Sequence, residues 1–125
     1  MLYLASAVAA SALGLAQPPY LGIACPGQNV TTCGRVGVAV WLRRPALHVD
    51  ARLGGITVTM HAGGLGGRGP TYWEGYASFR PGRLGLPPRW YGSNPAKWLL
   101  LRLTIRRADG AAHGAVRSVL HAGWA

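Results

Sequence analysis

Residues 98–120 read WLLLRLTIRRADGAAHGAVRSVL, which is the pattern of a β-hairpin. Apolar residues occupy every second position from Leu99 to Ile105, and this period of two is typical of a half-buried strand. Asp109-Gly110 is a two-residue turn signal, and a second alternating run follows from Ala112 to Leu120. We therefore predict two antiparallel strands joined at Asp109-Gly110, with one apolar face and one cationic face.

The cationic face of this hairpin is the best candidate for a binding surface. With the turn at Asp109-Gly110, Arg102 faces Arg117 on one side of the sheet, and Leu103 faces Val116 on the other. Like charges directly opposite each other destabilise a sheet, so this arrangement requires an anion or a neighbouring acid. The predicted anion-binding residues are Arg102, Arg106, Arg107, His113 and Arg117. The alternative is a solvated face whose arginines lie over apolar neighbours.

The overall charge supports an anionic partner without identifying it. The formal net charge is +10, from twelve arginines and one lysine against three acids. Such a surface attracts anionic glycans, acidic cell-envelope polymers and nucleic acids at low salt. Specific nucleic-acid recognition is not expected, because no helix-turn-helix, zinc-finger or aromatic sheet motif accompanies the charge. A strong arginine bias beside abundant Ala and Gly is also typical of GC-rich genomes, which keeps a purely compositional origin open.

The N-terminal residues indicate an extracytoplasmic protein. Met1 to Ala16 contain no charged side chain, and the small-x-small triplet Gly14-Leu15-Ala16 precedes Gln17. This pattern predicts a secretory leader over residues 1–16 and a single domain over 17–125. The apolar run is shorter than the roughly 17–25 residues that span a bilayer, so no transmembrane span is expected once the leader is removed. An uncleaved anchor and a buried helix are the alternatives.

Two cysteines fit the same compartment. Cys25 and Cys33 enclose seven polar, turn-rich residues, and a secreted setting permits a disulfide between them. Closing a loop of this length stabilises the fold by about 2–3 kcal/mol in the chain-entropy model. Lipidation of Cys25 is a weaker alternative, because Pro18 and Pro19 separate it from the apolar run.

Further alternating segments predict an all-β fold. Residues 47–53 and 56–61 alternate around Gly54-Gly55, a tight primed turn that sets Ala51 opposite Val58. Additional strands are predicted at Tyr20–Cys25, Arg35–Leu42 and Tyr72–Phe79. Six to seven short strands indicate a small antiparallel β-sandwich. Their number and length resemble an immunoglobulin-like or fibronectin type III module, in architecture only.

Aromatic residues provide a second candidate surface. Trp73, Tyr76, Trp90 and Tyr91 cluster between the two hairpins, where exposed rings could stack on sugars. Core filling is the commoner use of tryptophan in a small domain, and it remains the alternative for this cluster. Trp41 and Trp98 lie within strands, and we expect them to be packing residues.

No catalytic or metal site is predicted. Asp50, Glu74 and Asp109 are the only acids, and the serines lack the surroundings of a nucleophile. The first hairpin sets His48 opposite His61, but no third metal ligand can be assigned there. The sequence therefore predicts a secreted or cell-envelope binding module without cofactor, with an anionic glycan or envelope polymer as partner. A passive structural module and a carbohydrate-binding module are the alternatives.

Overall fold

A computed structural model of the chain describes residues 13–24, 34–63, 71–85 and 97–123. Within these ranges the fold is all-β, as predicted, with one 3-10 turn at Pro81–Leu84. The strands are β1 (Tyr20–Ile23), β2 (Arg35–Trp41), β3 (His48–Leu53), β4 (Ile56–Gly63), β5 (Tyr72–Ser78), β6 (Trp98–Arg107) and β7 (Gly110–His121). The predicted disulfide between Cys25 and Cys33 lies outside the described residues.

The strands form one closed barrel in the order β1-β2-β5-β4-β3-β6-β7. Six of the seven strand pairs are antiparallel, and β1 closes the barrel by pairing in parallel with β7. Leu21 of β1 has Val38 on one side and Leu120 on the other, so β1 has a partner strand on both sides. The sheet therefore does not divide into the two layers of the predicted sandwich.

The first hairpin has the predicted register. Pairs run from Asp50↔Thr59 to Leu53↔Ile56, and Ala51 lies opposite Val58. Gly54 and Gly55 have φ angles of 55° and 82°, which a primed two-residue turn requires at both central positions. This turn marks one end of the barrel, which we call the Gly54 end.

The second hairpin forms in a different register. The turn residues are Ala108 and Asp109, and Gly110 begins β7 with a φ of 136°, a backbone conformation that glycine adopts readily. Arg102 therefore lies opposite Ala115, so the predicted Arg102–Arg117 opposition is wrong. Arg102 and Arg106 lie opposite alanines, and Arg117 lies opposite Leu100, so the β6–β7 pair lacks the repulsion of the predicted pairing.

The same shift changes the predicted Leu103–Val116 pair of this hairpin. Leu103 lies opposite Gly114, and Arg106 lies opposite Ala111. A shift of two residues leaves each side chain on its predicted face, because side chains alternate with a period of two.

The interior is filled by aliphatic side chains from the strands, as expected for a barrel of this size. The largest fully buried side chains of the strands are Leu21, Ile23, Val36, Val38, Val40, Val49, Leu53, Leu101, Leu103 and Ile105. Leu84 of the 3-10 turn is also buried in this core, close to Gly54. It covers the Gly54 end of the barrel.

Residues 13–16 cover the opposite end, which we call the Arg107 end. Leu13 is fully buried, and Leu15 forms an isolated bridge with Leu42, just after β2. The backbone N–H of Ala16 donates to the Trp41 carbonyl at 2.8 Å. This segment overlaps the predicted leader, and cleavage after Ala16 would remove both leucines from the core.

Replacement of Leu13 tests whether this segment belongs to the folded barrel. Leu13→Ala should lower the free energy of unfolding by about 3 kcal/mol, because it deletes a fully buried side chain and leaves a cavity. Leu47 is 71% exposed, so Leu47→Ala is the matched control and should change stability by less than about 0.5 kcal/mol. Chemical unfolding measures both. Equal, small effects would show that residues 13–16 do not pack against the core.

Candidate functional site

The outer wall of β3, β6 and β7 carries a group of exposed basic side chains. Since side chains alternate between the interior and the outer wall, strand parity selects which ones face outward. We call this group the arginine face: Arg52, Arg102, Arg106, His113 and Arg117. Four of its members were predicted as anion-binding residues. Arg52 was not, because only the β3–β6 pairing brings it beside the second hairpin.

Arg107, the fifth predicted anion-binding residue, has a different position. It follows Arg106 and belongs to the interior side of β6, where it reaches the Arg107 end of the barrel. Its Nη2 donates to the Leu13 carbonyl at 3.4 Å, and its buried Nε has no hydrogen-bond partner among the described residues. Burial, followed by the positive charge of Arg44, lowers the pKa of Arg107. Arg107 therefore contacts residues 13–16 and is not part of the arginine face.

One carboxylate lies within the arginine face. Asp50 accepts a hydrogen bond from His48 Nε2 at 2.8 Å, and its other oxygen is 3.7 Å from Arg106 Nε. Asp50 is thus an acid beside the basic residues of the face, but among the described arginines it pairs only with Arg106. The Nδ1 of His113 lies 3.0 Å from the Thr104 hydroxyl, within hydrogen-bond distance.

The other two acids have partners elsewhere. Glu74 accepts a hydrogen bond from the Tyr72 hydroxyl at 2.9 Å, on the outer wall of β5. Asp109 forms an exposed ion pair with Arg44 at 3.3 Å. All three acidic side chains of the protein are thus accounted for, and none of the described ion pairs involves Arg52, Arg102 or Arg117. The arginine face therefore has a surplus of uncompensated positive charge.

The predicted aromatic cluster is divided by the barrel wall. Trp73 is only 5% exposed and belongs to the core, so its prediction as a sugar-stacking residue is wrong. Strand parity explains this, because Trp73 pairs with the interior residue Val40. Tyr76 lies on the outer wall, with the Arg35 guanidinium 5.4 Å from its ring centre. Trp90 and Tyr91 lie outside the described residues.

A different set of aromatic residues lines a groove on the outer wall. We call it the aromatic groove, a depression of about 290 Å³ bounded by Tyr20, Trp41, Trp98, Arg117 and His121. Tyr20 and His121 stack with their ring centres 4.4 Å apart, and Arg117 lies 5.6 Å from the Trp98 ring centre. Trp98 is 53% exposed, so its prediction as a packing residue is wrong. Trp41 is half-buried, and its ring lies 5.4 Å from the ring of Tyr72. The β1–β7 pairing that assembles this groove has no local sequence signal.

No cluster of three or more His, Cys, Asp or Glu side chains in the described residues could hold a metal ion. In the same part of the chain, no helix has the length and apolar character needed to cross a membrane. Comparisons with protein families, curated proteins and solved structures find no match to this chain. The function must therefore be inferred from the geometry and charge of the barrel itself.

The Tyr72–Glu74 hydrogen bond predicts a dependence of stability on alkaline pH. Burial, together with the hydrogen bond to Glu74 and its negative charge, raises the pKa of Tyr72 from 10.0 to about 12. Between these values the unfolded chain has released the Tyr72 proton and the folded protein still holds it. The free energy of unfolding should therefore fall as pH rises from about 10 to about 12.

Chemical unfolding of the wild type and of Tyr72→Phe at pH 8 to 12 measures this contribution. The variant lacks the titrating hydroxyl, so its stability should decline less steeply over the interval. Parallel declines in the two proteins would contradict the raised pKa.

Proposed function

We propose that this protein is a secreted or cell-envelope binding module, without catalytic activity, that holds an anionic polymer on its arginine face. The observation that carries the proposal is the surplus of positive charge on the outer wall of β3, β6 and β7. Every acidic side chain of the protein is described, and only Asp50 lies among these arginines. Association with a polyanion would provide the missing negative charge.

The shape of the face favours an extended ligand. Its basic side chains come from three adjacent strands, which are about 4.8 Å apart in a sheet. A polymer with regularly repeated charges can contact several of them at once, so that individually weak exposed ion pairs add up. Such binding is screened by salt, which makes salt dependence its expected property.

The location is proposed from the sequence. The uncharged N-terminal run and the two cysteines favour an extracytoplasmic compartment, where acidic glycans and envelope polymers are the available polyanions. If the charge is only compositional, the protein is instead a passive structural module whose basic residues are interchangeable.

The aromatic groove supports a second candidate function, which is binding of a carbohydrate. Trp98 offers an exposed ring, and Tyr20 and Trp41 extend the aromatic wall. Sugar rings stack on such surfaces through their apolar C–H faces, and polar groups such as Arg117 can bind hydroxyl or carboxylate oxygens.

Retention on heparin and polyphosphate columns against a salt gradient tests the proposed polymer binding. Arg102→Ser/Arg117→Ser removes two charges of the arginine face, and Arg35→Ser/Arg43→Ser removes two exposed charges elsewhere. The first variant should bind roughly tenfold more weakly at physiological salt, since two exposed charge contacts are each worth up to about 1 kcal/mol. Equal elution of the two variants would favour the passive module.

Tryptophan fluorescence with neutral oligosaccharides tests the second candidate. If a sugar stacks in the aromatic groove, its addition should change the emission of the wild type, and Trp98→Ala should abolish saturable binding. Tyr76→Ala removes an exposed aromatic ring outside the groove and should bind as the wild type does. Unchanged binding by Trp98→Ala would reject the groove as the sugar site.

A further inference from the structure

Two uncompensated arginines lie directly opposite each other in the barrel wall. In the β3–β6 pair, Arg52 is the partner of Arg102, and both side chains are exposed on the outer wall. Cross-strand neighbours of like charge repel each other and destabilise the sheet. Asp50, the nearest acid on the same face of β3, is engaged with His48 and Arg106 on the side toward the Arg107 end.

A third arginine approaches this pair from the 3-10 turn. Arg83 precedes Leu84, and its guanidinium lies against the β3–β4 turn, since a Cβ built on Gly55 would be 3.7 Å from its Nη2. Arg52, Arg83 and Arg102 line one cleft of about 460 Å³ at the Gly54 end of the barrel. We call it the arginine cleft.

The other residues that line the arginine cleft are leucines and glycines. Leu84 is buried, whereas Leu99 and Leu100 are at least partly exposed beside the arginines. Apolar neighbours lower the local dielectric constant, which strengthens the interactions of nearby charges. The cleft thus brings three cations to a concave surface, although no described carboxylate pairs with any of them.

We infer that the arginine cleft is a discrete binding site for a tetrahedral oxyanion, and specifically for closely spaced phosphate groups of a polymer. Guanidinium groups donate two parallel hydrogen bonds to phosphate oxygens, and three of them match the several charges of neighbouring phosphates. The inference rests on the proposed function and narrows it from the whole arginine face to one site. In this site the bound anion removes the repulsion between Arg52 and Arg102.

Calorimetric titration with tripolyphosphate at physiological salt tests the site. The wild type should bind one tripolyphosphate per chain, and Arg52→Gln/Arg83→Gln should weaken the affinity about tenfold or more. Arg35→Gln/Arg43→Gln removes the same charge outside the cleft and outside the arginine face, and should remain within about twofold of the wild type. Equal losses in both variants, or several bound anions per wild-type chain, would overturn the inference.

Thermal stability without ligand provides an independent measurement. If Arg52 repels Arg102, Arg52→Gln should raise Tm by about 2–5 °C at low salt, and high salt should abolish the gain. Arg43→Gln corrects for the general effect of lowering the net charge. A Tm for Arg52→Gln at or below that of the Arg43→Gln control would overturn the argument from repulsion.

Other probes identify the chemistry and separate the two proposals. A sulfated disaccharide that binds like tripolyphosphate would keep the oxyanion site but assign it to sulfated polymers, whereas equal binding of citrate would overturn selectivity for tetrahedral anions. If Arg102→Ser/Arg117→Ser elutes earlier than Arg35→Ser/Arg43→Ser from the heparin and polyphosphate columns but tripolyphosphate does not bind one to one, the arginine cleft is rejected and the proposed function stands. Absence of retention on either column would reject both.

Discussion

The narrow interior of the barrel determines where every charged group of this protein can lie. Seven strands enclose a core of aliphatic side chains, with Leu13 and Leu84 at opposite ends, and this core excludes ionic groups. The charged side chains of the strands must therefore occupy the outer wall or the rims. Because the protein has thirteen basic residues and three acids, this separation produces a strongly positive exterior.

The positive charge is unevenly distributed along the barrel. Asp50, Glu74 and Asp109 all lie in the half toward the Arg107 end, as their positions in β3, β5 and the β6–β7 turn show. There they are engaged with His48, Tyr72 and Arg44. Among the residues that the structure describes, the arginine cleft at the Gly54 end has no such partner. Under the proposed function, a polyanion would therefore meet uncompensated charge of the described residues at one end of the arginine face, which would favour one orientation of binding.

The sequence predicted local features of this fold better than it predicted how distant segments combine. Alternation correctly assigned the faces of β6 and β7, and Gly54-Gly55 correctly set the first hairpin. The second register was missed because Ala108-Asp109 and Asp109-Gly110 are both acceptable turns, and only the full pairing selects between them. Sandwich and barrel share the same alternation, and the difference depends on the contact of β1 with β7. Trp73 was misplaced because its strand carries aromatic residues on both faces.

The four-residue strand β1 has a mechanical consequence for the whole molecule. Its parallel pairing with β7 comprises Leu21↔Leu120 and Gly22↔His121, far fewer pairs than the long antiparallel ladder between β6 and β7. Because the β1–β7 seam has the fewest residue pairs of the seven strand pairs, it is where the barrel would open first on heating. Once open, it would leave β1 and β7 with unpaired edges, and β1 of another molecule would fit against the exposed edge of β7. The hydroxyl of Tyr20 donates a hydrogen bond of 2.6 Å to the Gly123 carbonyl, and this bond connects the two sides of the seam.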